Sequence, residues 1–402
     1  MDARGRRYVA VALTTQAVAI GTTLGSFSLF VQPLQEAFDA ARWHISLAPT
    51  LIVFALAVGG MTLGPLLDRG AIRPVMLGGS VVLSLSLAVA SQATSLGLLA
   101  VCCFTAGLAV PALGPMGGST LVGRVFVEER GRALGIVNLG GPVGIFCFAA
   151  LAGVALDTLR WHGTLALFAV LALVIPVPLV LRFIPRHVEA VAGTSPEPDA
   201  GWTMGRLVRT QAFVLLAGAF AAGMGIAAGW NSQVAVFLYE YGLSVRGAAS
   251  VVATAAMFAV VGTLSVGILA DHVRGERILA GLLSVQFVAC VVFVSGAPLA
   301  AVVLAILGFG LTTGGFIPVY TTILARRFGP ASIGRGMGLT NLFMLPVSAG
   351  AGPAAAAVFD VTGNYDGALL AFLAAFGLAL FGLAWVARRD RRASGSPGVP
   401  GG

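Results

Sequence analysis

Apolar residues run through this chain in long blocks separated by short polar turns. Stretches long enough to cross a hydrocarbon layer of roughly 30 Å occupy 8–34, 45–67, 74–93, 96–123, 134–156, 162–183, 210–239, 246–270, 277–295, 298–325, 335–359 and 367–387. They predict twelve membrane helices. The one long polar interior segment, 184–209, carries Pro185, Gly193, Pro196, Pro198 and Gly201. It reads as a linker between a first bundle (1–183) and a second (210–390), with a short surface helix from Trp202 to Arg209. The end, 391–402, is rich in Gly, Ser and Pro and is expected to be a disordered tail.

A constant offset of 203 positions relates the two bundles. Gly59, Gly64 and Asp68 return as Gly262, Gly267 and Asp271, and Gly107, Pro115, Arg124, Gly131, Arg132, Gly135, Asn138 and Asp157 return as Gly310, Pro318, Arg327, Gly334, Arg335, Gly338, Asn341 and Asp360. A gap-free match that includes charges and a proline marks a duplicated unit, not an accident of composition. The predicted fold class is an all-α membrane protein of two pseudo-symmetric six-helix bundles. Repeats of this kind place a solute site between them, near the bilayer midplane.

Composition removes other classes. With 58% hydrophobic residues, 10% charged residues and a mean hydropathy of +0.95, the chain is far from a soluble domain, which is about 25% charged. All 24 basic residues are arginine. If the N-terminus is cytoplasmic, the termini and even-numbered turns hold all of them except Arg42, Arg160 and Arg246, so the positive-inside rule predicts a multi-pass protein of the cytoplasmic (inner) membrane with both termini cytoplasmic. These scattered arginines build no aromatic-studded basic face, which excludes nucleic acid as an expected partner. The expected partners are the lipid bilayer and a small organic solute, for a monomeric protein. The chain lacks lysine and so lacks a phosphate-binding loop of the Walker kind. Cys102, Cys103, Cys147 and Cys290 lie in apolar blocks without metal-ligand spacing, and the histidines sit at helix ends. No enzyme activity, cofactor or metal is expected. Gly308, Gly310, Gly314 and Gly315, inside one apolar block, read as close helix packing.

Acidic residues keep to span ends, loops and tails. A mid-bilayer carboxylate costs about 2.5–3.5 kcal/mol and usually marks ion coupling. Any co-transported proton would therefore use an end residue such as Glu36, Asp157, Glu240 or Asp360, or the solute itself. The polar groups inside spans are neutral. Thr22 and Ser26 of the first span, Trp230, Asn231 and Gln233 of the seventh, and Tyr320 of the tenth are candidate cavity residues, with Asn138 and Asn341 closing the sides from the fifth and eleventh. For the hydroxyls the competing reading is a bond to their own helix backbone, whereas a buried amide needs several partners. The third, sixth and twelfth spans, nearly all apolar, are expected to face lipid.

The turn Gly64-Pro-Leu-Leu-Asp68-Arg69-Gly70-Ala-Ile-Arg73, echoed by Gly267-Ile-Leu-Ala-Asp271-His-Val-Arg274-Gly275-Glu-Arg277, resembles the Gly-x-x-x-Asp-Arg-x-Gly-x-Arg signature of the major facilitator superfamily. The second arginine is displaced in both copies. Over essentially the whole chain the resemblance implies the major facilitator fold, alternating access, and a cavity lined by the first, fourth, seventh and tenth helices. It also implies a conformational latch, here Gly64, Asp68, Arg69, Arg73, Arg124 and Arg132 in one half, and Gly267, Asp271, Arg277, Arg327 and Arg335 in the other. An Asp ending the second span can meet an Arg ending the fourth, which pairs Asp68 with Arg124 and Asp271 with Arg327. The alternative is that these charges are merely solvated.

Three further stretches look like the monocarboxylate and oxalate/formate carrier branch. They are Phe30-Val-Gln-Pro33-Leu34 with Arg42-Trp43-His44-Ile45-Ser46, Phe237-Leu238-Tyr-Glu-Tyr-Gly242-Leu243-Ser244, and Glu129-Arg130-Gly131-Arg132-Ala133-Leu134-Gly135. This resemblance implies a secondary active or facilitative transporter of a small, monocarboxylate-like organic acid. The chain departs from that branch in having no charge between Val251 and Ala270 and no lysine in the first helix, so a carboxylate would fall to amides, hydroxyls or helix ends. Two other readings stay open. Gly140-Gly141-Pro142-Val143-Gly144 partly resembles a motif of proton-coupled drug or metabolite efflux antiporters, and a non-transporting membrane sensor would need a signalling domain.

Overall fold

The computed structural model describes residues 3–114, 116–126, 129–185, 202–329 and 332–394. Eleven helical stretches among them are long and apolar enough to cross a membrane, and one of these, Gly131–Phe183, has 53 residues. At 1.5 Å per residue that is far too long for one crossing. The stretch doubles back at Arg160, whose φ of 54° and ψ of −176° leave the helical region, and the rings of Phe148 and Phe168 meet with centroids 5.3 Å apart. Its two arms are the fifth and sixth spans, which brings the total to twelve. An even number of crossings returns both chain ends to one face, the terminal face; the opposite one is the distal face.

The first bundle comprises the first span (Ala3–Ile20, Gly21–Gly25 and Phe27–Phe38), the second (Arg42–Asp68), the third (Ile72–Ala90) and the fourth (Leu96–Leu113 and Gly117–Val125). The fifth starts as Arg130–Asn138 and continues into Gly140–Val174, which also carries the start of the sixth; Pro176–Phe183 completes the latter. The short helix Met204–Arg209, capped by the Thr203 side chain, precedes the second bundle, and 186–201 lies outside the described residues. The seventh span is Gln211–Phe220, Ala221–Gly225, Ile226–Trp230 and Val234–Glu240. The others are Val245–His272, Gly275–Val294, Leu299–Phe328, Ile333–Thr362 and Asp366–Ser394. The twelfth thus runs on past the expected start of the tail at 391, because Arg388 to Arg392 extend the helix beyond its apolar part; 395–402 lies outside the described residues.

The recurring glycines explain how each bundle holds together. A Cβ at Gly59 would strike the Leu108 carbonyl and one at Gly107 the Ile52 carbonyl, so the second and fourth spans touch backbone to backbone. Their repeat mates do the same between the eighth and tenth spans, Gly262 against the Leu311 carbonyl and Gly310 against that of Ala255. Gly314 and Gly315 extend this seam along Ala259 and Val266, while Gly308 meets only Val285 at an ordinary 3.6 Å. Small residues let dispersion contacts accumulate where lipid offers helices no hydrophobic drive to associate. Outward-facing apolar side chains occur on the third, sixth, ninth and twelfth spans, among them Leu85, Val170, Val288, Leu378 and Phe381, and also on the second and eighth, among them Phe54, Met61, Leu264 and Ile268. That is the surface a bilayer solvates.

Candidate functional site

The first and seventh spans both lose regular α-geometry near their middles. In each a widened turn, Gly21–Gly25 or Ala221–Gly225, brings glycine against a neighbour: Gly21 on Gly144 and Phe148, Gly223 on Phe316, Gly225 on Val347. Widened turns free backbone carbonyls, and here side chains take them. Thr22 and Thr23 donate to the carbonyls of Val18 (2.7 Å) and Ala19 (2.6 Å), and Ser26 to that of Gly21 (3.0 Å). The seventh span then breaks at Asn231–Gln233 before resuming at Val234. There Ser232 donates to the Gly229 carbonyl, and the Asn231 amide, half-buried, projects into a cavity.

That cavity, about 280 Å³, lies between the bundles. Ile20, Leu24, Ser46, Thr50 and Ile145 border it from the first, and Trp230, Asn231, Ala255, Phe309, Thr313 and Ser348 are among those that do so from the second. Among the described residues no charged side chain lines it. The walls are Ala, Val, Ile, Leu, Met and Phe with a sparse set of hydroxyls, one amide and the Trp230 ring, as expected of a site that positions a small solute by shape and a few polar contacts. The Trp230 indole N–H is buried without a hydrogen-bond partner. A buried orphan donor costs stability unless something accepts from it.

Above the cavity the bundles meet at the distal face through two repeat-related arms. In one, the Asp360 carboxylate ending the eleventh span accepts from the backbone N–H groups of Arg42 (3.2 Å) and Trp43 (2.8 Å), capping the second span from the other bundle. The Arg42 guanidinium donates to the Tyr365 hydroxyl (2.9 Å) and to Glu240 (3.3 Å), and lies 3.7 Å over the Phe359 ring. Tyr365 donates to the Gln233 carbonyl oxygen (3.1 Å), and the Gln233 amide donates to Ser46 (2.8 Å), which borders the cavity. Burial pushes the Tyr365 phenol up to about 12 despite the lowering influence of Arg42, so it stays a donor at any physiological pH. In the other arm, Asp157 ending the fifth span pairs with Arg246 at the start of the eighth, 2.6 Å apart, and Gly153 packs directly on Ala249. At the terminal face Gly135, Gly267, Gly334 and Gly338 have no atom within 4 Å of where a Cβ would sit.

Of the residues expected from sequence to form the cavity, Trp230 and Asn231 border it. Thr22 faces a separate small hollow within the first bundle, and Ser26 is turned to its own backbone. Gln233 is fully buried in the distal network. Tyr320 is fully buried against Thr340, 2.7 Å away, inside the second bundle. Asn138 and Asn341 are exposed and border no part of the cavity. The described residues of the fourth span contribute nothing to the lining, while those of the second, fifth, eighth and eleventh do.

At the terminal face, Arg124 donates to the Leu67 carbonyl (3.0 Å). In the second bundle Arg326, next to the repeat mate Arg327, donates to the mate carbonyl of Ala270 (3.1 Å). Arg327 lies 3.6 Å from Glu276. Arg73 reaches the Leu181 carbonyl, Arg335 the Trp202 carbonyl, and Arg132 sits 3.9 Å from Glu129. Arg69 and Arg277 are exposed, and Gly64 meets only Met116, at 3.8 Å. The side chains of Asp68 and Asp271, and hence the two expected Asp–Arg pairs, lie outside the described residues. Among the described residues no His, Cys, Asp or Glu cluster could hold a metal.

Sequence reasoning missed the distal network. The signal was present in two places: Asp157 and Asp360 are repeat mates, and Arg42 and Arg246 are two of the three arginines assigned to that face.

Twelve spans in two repeats around an uncharged cavity define a membrane transport protein. The family model of the Major Facilitator Superfamily matches residues 12–353, and the chain belongs to that family. It is 28% identical over 379 residues to monocarboxylate transporter 13 of Rattus norvegicus, covering 87% of this chain and 81% of the relative. It is 24% identical over 378 residues to the uncharacterized MFS-type transporter YcxA of Bacillus subtilis, covering 87% of each. Among solved structures, a bacterial homologue of the human lysosomal transporter Spinster, inward-facing and unoccupied, superposes with a TM-score of 0.73 at 17% identity over the whole of both chains. The nucleoside transporter NupG superposes with a TM-score of 0.75 at 11% identity, covering 94% of this chain and 99% of that one. At such identities the likeness concerns the fold. The chain is a multi-pass membrane transporter and not an enzyme.

Proposed function

We propose that this transporter carries a small monocarboxylate-like organic acid across the cytoplasmic membrane by alternating access, as a monomer with both termini in the cytoplasm. The observation that carries the reading is the uncharged cavity roofed by the distal contact, with the half-buried Asn231 amide at its edge. A cavity without fixed charge suits a singly charged or protonated acid better than a multivalent anion. The monocarboxylate transporters among the relatives support the same substrate class. In this reading Trp230 and Asn231 contact the solute. The Asp68–Arg124 and Asp271–Arg327 latches close the terminal face when the distal face opens. A proton, where one accompanies the solute, travels on the solute or through the acidic residues of the distal face.

Counterflow in proteoliposomes tests this. Labelled lactate, acetate and benzoate are compared with a neutral amide and a cationic amphiphile. Saturable exchange of the acids supports the reading; exchange of the cation alone favours an efflux antiporter. Asn231→Ala should raise the half-saturation concentration about two- to twelvefold, the worth of one hydrogen bond of roughly 0.5–1.5 kcal/mol. An unchanged value would remove Asn231 from the site.

A further inference from the structure

Among the described residues no cation lines the cavity, yet a guanidinium lies just beyond it. Arg42 is one helical turn from Ser46, whose hydroxyl donates to the Arg42 carbonyl (2.8 Å) and borders the cavity. Its side chain is only 11% exposed. A guanidinium stays charged at all relevant pH and presents five donors, so the identity of its partners decides what it does.

Nearly all of those partners belong to the other bundle. Glu240, Tyr365 and Phe359 do, as does Asp360, which caps the backbone of Arg42 and Trp43. From its own bundle Arg42 has Gln35, at a long 3.4 Å. Glu36 of the same bundle is engaged with Gln32, and Asp39 is exposed. Parting the bundles at the distal face would therefore strip Arg42 of its carboxylate, its phenol and its aromatic platform together. The backbone N–H groups that Asp360 covers would be bared at the same moment. A poorly hydrated cation and two free N–H groups, gathered at the start of one helix, favour a carboxylate above any neutral ligand. Asp360 and Glu240 show that carboxylates fit there.

We propose that Arg42 receives the carboxylate of the organic anion at the distal face, and that Asp360 and Glu240 are internal carboxylates that hold its place while that face is closed. The inference rests on the organic-acid reading above and gives the missing charge a location. The solute is selected for its charge at the mouth, then released into a neutral cavity where Asn231 and shape hold it. Once it leaves Arg42, Glu240, Asp360 and Tyr365 return and the face closes. Arg246 of the other arm does not share this role, because its side chain is 59% exposed and water already satisfies it.

The test uses the full-length protein in oriented proteoliposomes, with labelled lactate, acetate and benzoate as acids and labelled lactamide as the neutral probe. Half-saturation is measured separately from each face under exchange conditions. Arg42→Gln should raise the value for acids at the distal face about tenfold, equivalent to roughly 1.4 kcal/mol, and change it less than about twofold at the terminal face. Arg42→Lys should fall between. Glu240→Gln, a half-exposed position that leaves the fold intact, should act in the opposite direction and lower the distal value, because one competing carboxylate is gone. Equal changes at the two faces, or a distal value that Glu240→Gln leaves unmoved, would overturn the role of Arg42. A wild-type protein that carries none of the acids would instead overturn the organic-acid reading, and this inference with it.

Discussion

The two arms that join the bundles at the distal face descend from one duplicated unit, yet they hold by different physics. In the arm of Arg42, the cation is buried, stacked on Phe359 and bonded through Tyr365 and Gln233 down to the cavity. In the arm of Arg246, the ion pair is shorter, 2.6 Å, but both side chains are more than a third exposed. Such pairs are worth little in water and are screened by salt. What secures that arm is the contact of Gly153 with Ala249 below it. Distance alone would put the Arg246 arm first; burial and the number of satisfied groups put the Arg42 arm first.

Four substitutions would break or sharpen that contrast. The largest effect is expected from Arg42→Ala, which leaves a phenol and carboxylates facing an emptied site. It should lower stability in detergent by about 3 kcal/mol, read from thermal unfolding, and a loss below about 0.5 kcal/mol would put the two arms on a par. Next comes Gly153→Val, whose branched side chain has no room against Ala249. Overpacking of this kind costs roughly 1–3 kcal/mol, and it should leave a cysteine placed at Ser348 open to a thiol reagent applied from the distal side. Unaltered labelling would show that the arm yields without separating.

Tyr365→Phe removes a donor and an acceptor at once and should cost about 1–2 kcal/mol. It also has a pH signature. The Tyr365 phenol is raised from 10 to about 12 in the folded protein, so its contribution is complete below pH 10 and is lost as pH rises through 12. Wild-type stability should therefore fall faster than that of Tyr365→Phe across that alkaline window, and parallel curves would place the phenol outside the network. The smallest effect is expected from Asp157→Asn, within about 0.5 kcal/mol of wild type and smaller still in high salt. A loss as large as that of Tyr365→Phe would mean the exposed pair is more than a surface contact.

Spans, repeat and family were legible because each rests on a local or periodic signal: block length, a fixed offset, a turn motif. Gly59, Gly107, Gly262 and Gly310 illustrate this, since glycines that recur at one spacing mark the two backbone seams directly. The cavity was harder to read. Thr22 and Ser26 are polar for a local reason, their hydroxyls serving carbonyls freed by the widened turn, and Gln233 and Tyr320 satisfy groups elsewhere. The true walls, such as Ala227, Ala255 and Phe309, differ in no visible way from residues facing lipid. The need of a buried amide for several partners marked Asn231, which borders the cavity, but marked Asn138, Gln233 and Asn341 equally, and those do not. The distal network joins positions as far apart as Trp43 and Asp360, a pairing that only the folded chain reveals.

The uncharged lining of the cavity has an electrical consequence. A unit charge moved across a membrane potential of 100 mV exchanges about 2.3 kcal/mol with the field. With no charged side chain among the described residues that line the site, the lining of the empty carrier takes no charge through the middle of that field as it resets. Voltage would then act on the loaded step alone, to the extent of whatever net charge the solute and any companion proton bring, and the unloaded return would proceed at the same pace in a resting or a depolarised membrane.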